Sequence, residues 1–202
     1  MRELILGGQK SGKSRLAEER ARAWLSQSPS HKAVLIATGL AHDEEMRQRI
    51  ARHQADRLLR LPELRCVEEP LQLGDVLRAT SDVTSLVVID CMTMWLTNLL
   101  MPLDRDVLEN TVDPAFIMQK GHVAGIKPAQ SAIELIVLMQ VALAAARGPV
   151  VLVSNEIGLG VIPMGRQVRK FVDELGRLNQ ALARQCEQVS LMAAGCALKM
   201  KG

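Results

Sequence analysis

Short apolar runs alternate with longer amphipathic segments along most of the chain. The apolar runs are RELIL (2–6), KAVLIAT (32–38), SLVVID (85–90) and GPVVLVSNEIG (148–158). Apolar runs that are rich in β-branched residues, bounded by loops and separated by helical patterns, are typical of βαβ units. The pattern therefore predicts an α/β fold, with a mostly parallel sheet that helices cover on both faces.

Five segments have helical character. They cover residues 13–26, 43–58, 91–100 and 129–147, and a long stretch that begins near Pro163. Segment 129–147 is the most apolar, but it contains Glu134 and two glutamines, which favour a buried helix over a membrane span. The last residues, 189–202, predict one strand or a terminal hairpin. Segment 101–128 is the least regular, and we expect it to be a mobile excursion. No repeat or linker divides the chain, so residues 1–202 are predicted to form a single nucleotide-binding domain.

Composition narrows the class of protein. The chain has 202 residues, of which 48% are hydrophobic, with two Trp, two Phe and no Tyr. The lack of aromatic stacking platforms argues against nucleic-acid binding, and a formal charge of +3 suits small anions. None of the four cysteines forms a CxxC pair, and the N-terminal apolar run is too short for a signal peptide. We therefore expect a cytoplasmic protein with reduced thiols and no transmembrane segment.

The first turn carries a phosphate-binding motif. GGQKSGKS (7–14) matches G-x-x-x-x-G-K-[ST] through Gly7, Gly12, Lys13 and Ser14. In such a loop, backbone amides and the N-terminus of the next helix surround phosphates, the lysine reaches the β- and γ-oxygens, and the hydroxyl holds Mg²⁺. The motif follows a predicted strand and opens a predicted helix, as this chemistry requires. A turn that binds nothing is the alternative.

A second metal ligand is expected at the end of another strand. Asp90 ends SLVVID, at the carboxyl end where α/β sheets place their ligands. The alternative is that Asp90 only caps the next helix. Glu156 is a weaker candidate of the same kind, and Asn155 beside it could orient a substrate or a water molecule.

The histidine in DEEMRQRIARHQADRL (43–58) has two interpretations. Arg49 and Arg57 lie four residues on either side of His53, on the same helical face. Their charge disfavours protonation, and a neutral imidazole beside bound phosphates can attack phosphorus. A solvated basic face explains the same pattern equally well, so spacing alone leaves both readings open.

Several segments together resemble one family. They are LILGGQKSGKSRLAE, LIATGLAHDEEMRQRIARHQADR, RCVEEP, VVIDCMTMWLTNLL, GPVVLVSNEIGLGVIP, FVDELGRLNQALA and the closing VSLMAAG. In this order they resemble the bifunctional adenosylcobinamide kinase / adenosylcobinamide-phosphate guanylyltransferase family of cobalamin biosynthesis. The resemblance implies a P-loop NTPase (RecA-like) fold. It also implies phosphorylation of adenosylcobinamide by ATP or GTP, and then transfer of GMP from GTP through a guanylylated histidine. A homotrimer with sites near subunit boundaries is implied as well.

The resemblance also implies site residues. His53 matches the guanylylated histidine and Lys13 the P-loop lysine, while Ser14 and Asp90 would hold Mg²⁺. The nucleotide-binding positions implied are Gly8, Gln9, Lys10, Ser11, Gly12, Lys13, Ser14, Arg15, Thr38, Gly39, Leu40, Gln54, Ala55, Asp56, Arg57, Glu68 and Asp90. Glu69 is an alternative to Glu68.

Two positions depart from the family pattern. Many members have two adjacent histidines where this chain has Arg52 and His53, and often an arginine where it has Val172. Two other functions stay open: a P-loop kinase for a small molecule that lacks guanylyl transfer, and a P-loop regulator without group-transfer chemistry.

Overall fold

The predicted apolar runs form the interior of one seven-stranded sheet. The structure, a computed structural model, describes residues 1–40, 44–101 and 131–202. Its strands are β1 (Arg2–Gly7), β2 (Lys32–Ala37), β3 (Leu64–Glu68), β4 (Ser85–Asp90), β5 (Val150–Val153), β6 (Gln188–Ala193) and β7 (Cys196–Lys201). Its helices are α1 (Lys13–Leu25), α2 (Glu44–Arg60), α3 (Leu73–Thr80), α4 (Met92–Leu100), α5 (Ala132–Ala144) and α6 (Arg166–Gln185).

The strand order is β3-β2-β4-β5-β1-β6-β7. All neighbouring pairs are parallel except β6 and β7, which form an antiparallel hairpin. Because β5 lies between β1 and β4, the segments that follow these three strands meet at the carboxyl edge of the sheet. The fold class predicted from the sequence is confirmed.

Alternate residues of each strand enter two separate cores. Val87 and Ile89 of β4 pack in the core formed with helices α3, α4, α5 and α6. Leu86 and Val88 of the same strand pack in the core formed with α1. Successive side chains of a strand point to opposite faces of the sheet, and both faces are covered here. The interior strands therefore have continuous apolar sequences.

Two elements were not predicted. Strand β3 is an edge strand in which exposed Arg65 and Glu68 interrupt the apolar positions, so its sequence lacks a clear apolar run. Helix α3 has eight residues, which is too short for helical periodicity to be recognised in its sequence. Of the two predictions for the C-terminus, the hairpin is correct. Ala194 and Gly195, both with positive φ, form its two-residue turn.

The predicted helices are confirmed with small shifts at their ends. Helix α5 begins after Ser131, whose hydroxyl accepts a hydrogen bond from the Glu134 amide while the Glu134 carboxylate accepts one from the Ser131 amide. Apart from Met101, the irregular segment predicted over 101–128 lies outside the described residues. Within the described ranges, no helix combines the length and the hydrophobicity of a membrane span.

Candidate phosphate-transfer site

The phosphate-binding motif forms a tight turn between β1 and α1. Gly12 precedes the helix with a φ of 102°, a left-handed conformation that favours glycine. Gly8, Gln9 and Lys10 are exposed along the turn, whereas Ser11 is buried. Arg15 is exposed on the first turn of α1, where it pairs with Glu19 at 3.3 Å. The motif therefore has the strand–turn–helix context that phosphate binding requires.

The turn is supported from both sides by backbone hydrogen bonds. The Gly195 amide, in the β6–β7 turn, donates to the Ser11 carbonyl at 3.0 Å. The Glu156 amide, after β5, donates to the Gly7 carbonyl at 3.1 Å. A Cβ atom on Gly12 would lie 3.3 Å from Gly195 Cα, so the two turns are in close contact. Sequence analysis missed Gly195, because a contact across 184 positions leaves no local pattern.

Lys13 is held inside the turn. Its side chain is buried, and its Nζ atom donates a hydrogen bond to the Gly8 carbonyl at 2.6 Å. Burial lowers the pKa of the Lys13 ammonium, while Cys91 and Asp90 act in the opposite direction. The ammonium thus lies in a poorly solvated position, where attraction to phosphate oxygens is stronger than in water.

Asp90 lies at the centre of a charged cluster. Burial raises the pKa of its carboxyl group, and Arg57, His53, Lys13 and a hydrogen bond from Ser14 oppose that increase. The nearest approach of Arg57 Nη2 to Asp90 Oδ2 is 3.8 Å, and both side chains are mostly buried. The structure therefore brings together five side chains that the sequence analysis selected.

Helix α2 supplies the histidine side of the cluster. His53 is exposed, yet close enough to Asp90 to influence its ionisation. The Arg57 guanidinium also contacts Cys66 Sγ at 3.7 Å, which anchors the helix to β3. Gln54 donates a hydrogen bond to exposed Glu68 at 2.7 Å, again between α2 and β3. These contacts place the imidazole at the rim of the phosphate site.

The other predicted positions of α2 have different surroundings. Ala55 is exposed, and Asp56 pairs with Arg60 at 3.9 Å, while Arg60 also pairs with Glu18. The predicted role of the Arg49 side chain lies outside what the structure describes.

Thr38 forms a latch between the ends of β2 and β4. It is fully buried, and its hydroxyl donates to the Cys91 carbonyl at 2.7 Å and accepts from the Cys91 amide at 2.9 Å. Asn98 of α4 donates to the Thr38 carbonyl at 2.8 Å. Since Cys91 follows Asp90 directly, the latch positions the carboxylate. Thr38 was predicted from the sequence, but Asn98, one of three polar residues in the otherwise apolar helix α4, was not.

Replacing Thr38 with valine should destabilise the protein by about 1–3 kcal/mol more than replacing it with serine, because valine leaves the Cys91 amide without its hydrogen-bond partner. Serine keeps the hydroxyl and loses only a methyl group. Chemical denaturation of both variants measures the difference. Equal stability of the two variants would refute the latch.

The remaining candidate site residues follow strands of the sheet and differ in their contacts. Gly39 and Leu40 are half-buried after β2, where a Cβ atom on Gly39 would lie 3.6 Å from Ile50. One Glu156 carboxylate oxygen accepts a hydrogen bond from the Gly158 amide at 2.8 Å, so this oxygen is engaged within its own loop. Glu69 accepts from the amides of Leu71 and Gln72, before α3. Asn155 Nδ2 lies 3.9 Å from Cys91 Sγ, beside the cluster.

The donor set at Asp90 fits Mg²⁺. The Ser14 hydroxyl lies close enough to the Asp90 carboxylate to lower its pKa, and both groups are hard oxygen ligands. Among the residues that the structure describes, no group of three or more His, Cys, Asp or Glu side chains could hold an ion. An ion bound here would therefore share its coordination with phosphate oxygens and water, as is usual for Mg²⁺ at nucleotide sites.

Comparison with known proteins identifies the family. The family model described as "Cobinamide kinase / cobinamide phosphate guanyltransferase" matches residues 3–200. The bifunctional adenosylcobalamin biosynthesis protein CobP of Pseudomonas aeruginosa is 40% identical over 203 residues, which cover 100% of this chain and 98% of that protein. The bifunctional adenosylcobalamin biosynthesis protein CobU of Escherichia coli K12 is 33% identical over 201 residues, with 98% of each chain covered.

The solved structures include that of the flagellar accessory protein FlaH from Methanocaldococcus jannaschii. It aligns with 99% of this chain and 77% of its own length, with a TM-score of 0.47 and 12% sequence identity. That likeness is too weak to support a conclusion. The family model and the relatives, in contrast, cover nearly the whole chain. The chain therefore belongs to the cobinamide kinase / cobinamide phosphate guanyltransferase family.

Proposed function

We propose that this protein phosphorylates the aminopropanol hydroxyl of adenosylcobinamide with ATP or GTP and then converts the phosphate to adenosylcobinamide-GDP with GTP. The observation that carries the proposal is the cluster around Asp90, where Lys13 of the P-loop motif and exposed His53 both lie close enough to affect the ionisation of one carboxyl group. A phosphate loop suits the first reaction, and a nucleophile at its rim suits the second.

In the kinase reaction, the P-loop amides and the Lys13 ammonium would bind the β- and γ-phosphates. Lys13 donates to the Gly8 carbonyl in the structure, so nucleotide binding would exchange that hydrogen bond for one to a phosphate oxygen. Ser14 and Asp90 would hold Mg²⁺, which when bound neutralises phosphate charge. Catalysis then rests mainly on positioning and charge neutralisation.

In the guanylyl transfer, an imidazole nitrogen of His53 would attack the α-phosphorus of GTP. The new N–P bond forms as the bond to the bridging oxygen breaks, and pyrophosphate leaves with the electron pair. A phosphate oxygen of the corrinoid then attacks the same phosphorus, breaks the N–P bond and forms the diphosphate. Arg57 lies one helical turn from His53, where its guanidinium would bind phosphate oxygens.

The experiment is to incubate the protein with adenosylcobinamide, Mg²⁺ and either ATP or GTP, and to separate the corrinoid products by chromatography. We expect phosphorylated corrinoid to form with either nucleotide, whereas the GDP-linked corrinoid should form with GTP and not with ATP. Accumulation of the phosphate with no GDP-linked product would instead indicate the monofunctional kinase. Nucleotide hydrolysis without any corrinoid product would indicate the regulator.

Other features remain predictions from the sequence. These are the single domain, the trimer, the cytoplasmic location, the lack of nucleic-acid binding and the nucleotide contacts of individual residues.

A further inference from the structure

The loop that joins β5 to α6 exposes a row of large apolar side chains. This β5–α6 loop covers residues 157–165. Its exposed apolar members are Ile157, Leu159, Val161, Ile162 and Met164. Val161 is 96% exposed and Met164 is 97% exposed, the two highest values among the exposed large hydrophobic residues of the described chain. Several large apolar side chains exposed within one nine-residue loop mark a binding site more often than single exposed residues do.

Hydrogen bonds fix both ends of the β5–α6 loop. At its start, the Glu156 carboxylate accepts from the Gly158 amide, and the Glu156 amide donates to Gly7 of the phosphate turn. At its end, the Arg169 guanidinium donates to the carbonyls of Pro163 at 2.8 Å and Met164 at 2.5 Å. The apolar side chains are therefore carried on an anchored backbone that begins at the phosphate site.

A polar groove lies beside the loop. It has a volume of about 400 Å³ and lies along the first three turns of α6. Four basic and two acidic side chains line it: Arg166, Arg169, Lys170, Arg177, Asp173 and Glu174. The groove thus offers hydrogen-bond donors and acceptors together with an excess of positive charge, which attracts anions.

We propose that the β5–α6 loop and this groove bind the corrinoid macrocycle, an inference that rests on the proposed function. A corrin ring has methyl-rich faces and a rim of carboxamide side chains. It is too large for the phosphate turn and must lie outside while its hydroxyl reaches the phosphates. The loop offers apolar surface for the ring faces, and the groove offers polar partners for the rim.

On the opposite side of the site, the exposed large apolar residues that the structure describes on α2 are Leu58 and Leu59, in the last turn of the helix. There, α2 presents His53, Gln54 and Arg57, which suit a nucleotide. Because β5 lies between β1 and β4, the loop begins next to both the phosphate turn and Asp90. The two substrates would thus approach the phosphates from different sides, as in-line transfer requires.

The test uses the double variant Val161→Ser/Met164→Ser, with Val83→Ser as the matched control. Val83 is also exposed, at 58%, but precedes β4 and therefore lies at the opposite end of the sheet. We expect the KM for adenosylcobinamide to rise about tenfold or more in the double variant, since two apolar contacts are lost. The KM for ATP and the amount of GMP-labelled protein formed without corrinoid should change by less than about twofold in both variants.

Two results would overturn the proposal. One is a corrinoid KM in the double variant that stays within about twofold of the unmodified protein. The other is a rise in KM together with dissociation of an assembly in sedimentation velocity, which would show that a second copy of the chain occupies the loop. Failure of the unmodified protein to form any corrinoid product would instead refute the proposed function, before any variant is compared.

Discussion

Replacing Lys13 with alanine is expected to reduce both corrinoid phosphorylation and guanylyl transfer by about 100-fold or more, because one group binds the phosphates in both reactions. Lys13 is buried in the turn, and its ammonium lies where solvent competes poorly with phosphate oxygens. Steady-state rates of the two half-reactions, measured separately with corrinoid and with phosphorylated corrinoid, check the expectation.

The control for this variant is Lys199→Ala, since Lys199 is an exposed lysine on the edge strand β7. Its rates should equal those of the unmodified protein. Thermal denaturation should also show that Lys13→Ala remains folded, because burial opposes the charged form of the native lysine. If Lys13→Ala lost only one of the two activities, a shared phosphate site would be wrong.

Replacing His53 with alanine should separate the two reactions. We expect guanylyl transfer to fall by about 10³-fold or more, as is usual when a covalent nucleophile is removed, while phosphorylation of adenosylcobinamide continues. The exposed position of His53 on α2 means that alanine, a good helix former, should leave the fold intact. Rates of GDP-linked and phosphorylated corrinoid formation measure the two reactions in one assay.

Arg52→Ala is the matched control, because Arg52 is an exposed neighbour on the same helix. It also tests the departure from the family pattern, since many members have a second histidine at this position. Full guanylyl transfer in Arg52→Ala would show that Arg52 does not take over a role of the second histidine. Guanylyl transfer that survives in His53→Ala would rule out the proposed nucleophile.

Local sequence patterns were sufficient to predict the phosphate turn and the acidic residue of the site. Asp90 could be predicted because a buried strand ends there, and Lys13 because the phosphate motif fixes its spacing. His53 is different, since helical spacing left a catalyst and a solvated side chain equally acceptable. Its proximity to Asp90 depends on how α2 lies against β3, which the contacts of Gln54 and Arg57 determine.

Long-range contacts explain most of what the sequence could not predict. The Gly195 amide supports Ser11 from the far end of the chain, and Asn98 reaches Thr38 across 60 positions. Strand β3 was missed because an edge strand buries only part of its side chains. The exposed β5–α6 loop has an apolar sequence that resembles buried structure, so only its exposure in the folded chain distinguishes it.

The most direct test of the account is to locate the covalent adduct. The protein is incubated with Mg²⁺ and GTP labelled at the α-phosphorus, without corrinoid, then denatured, digested and mapped by mass spectrometry. The account predicts one GMP per chain on the peptide that contains His53, with an acid-labile and base-stable bond, and its release on addition of phosphorylated corrinoid. A GMP adduct on Lys13 or any other residue, or no adduct while GDP-linked corrinoid still forms, would contradict it.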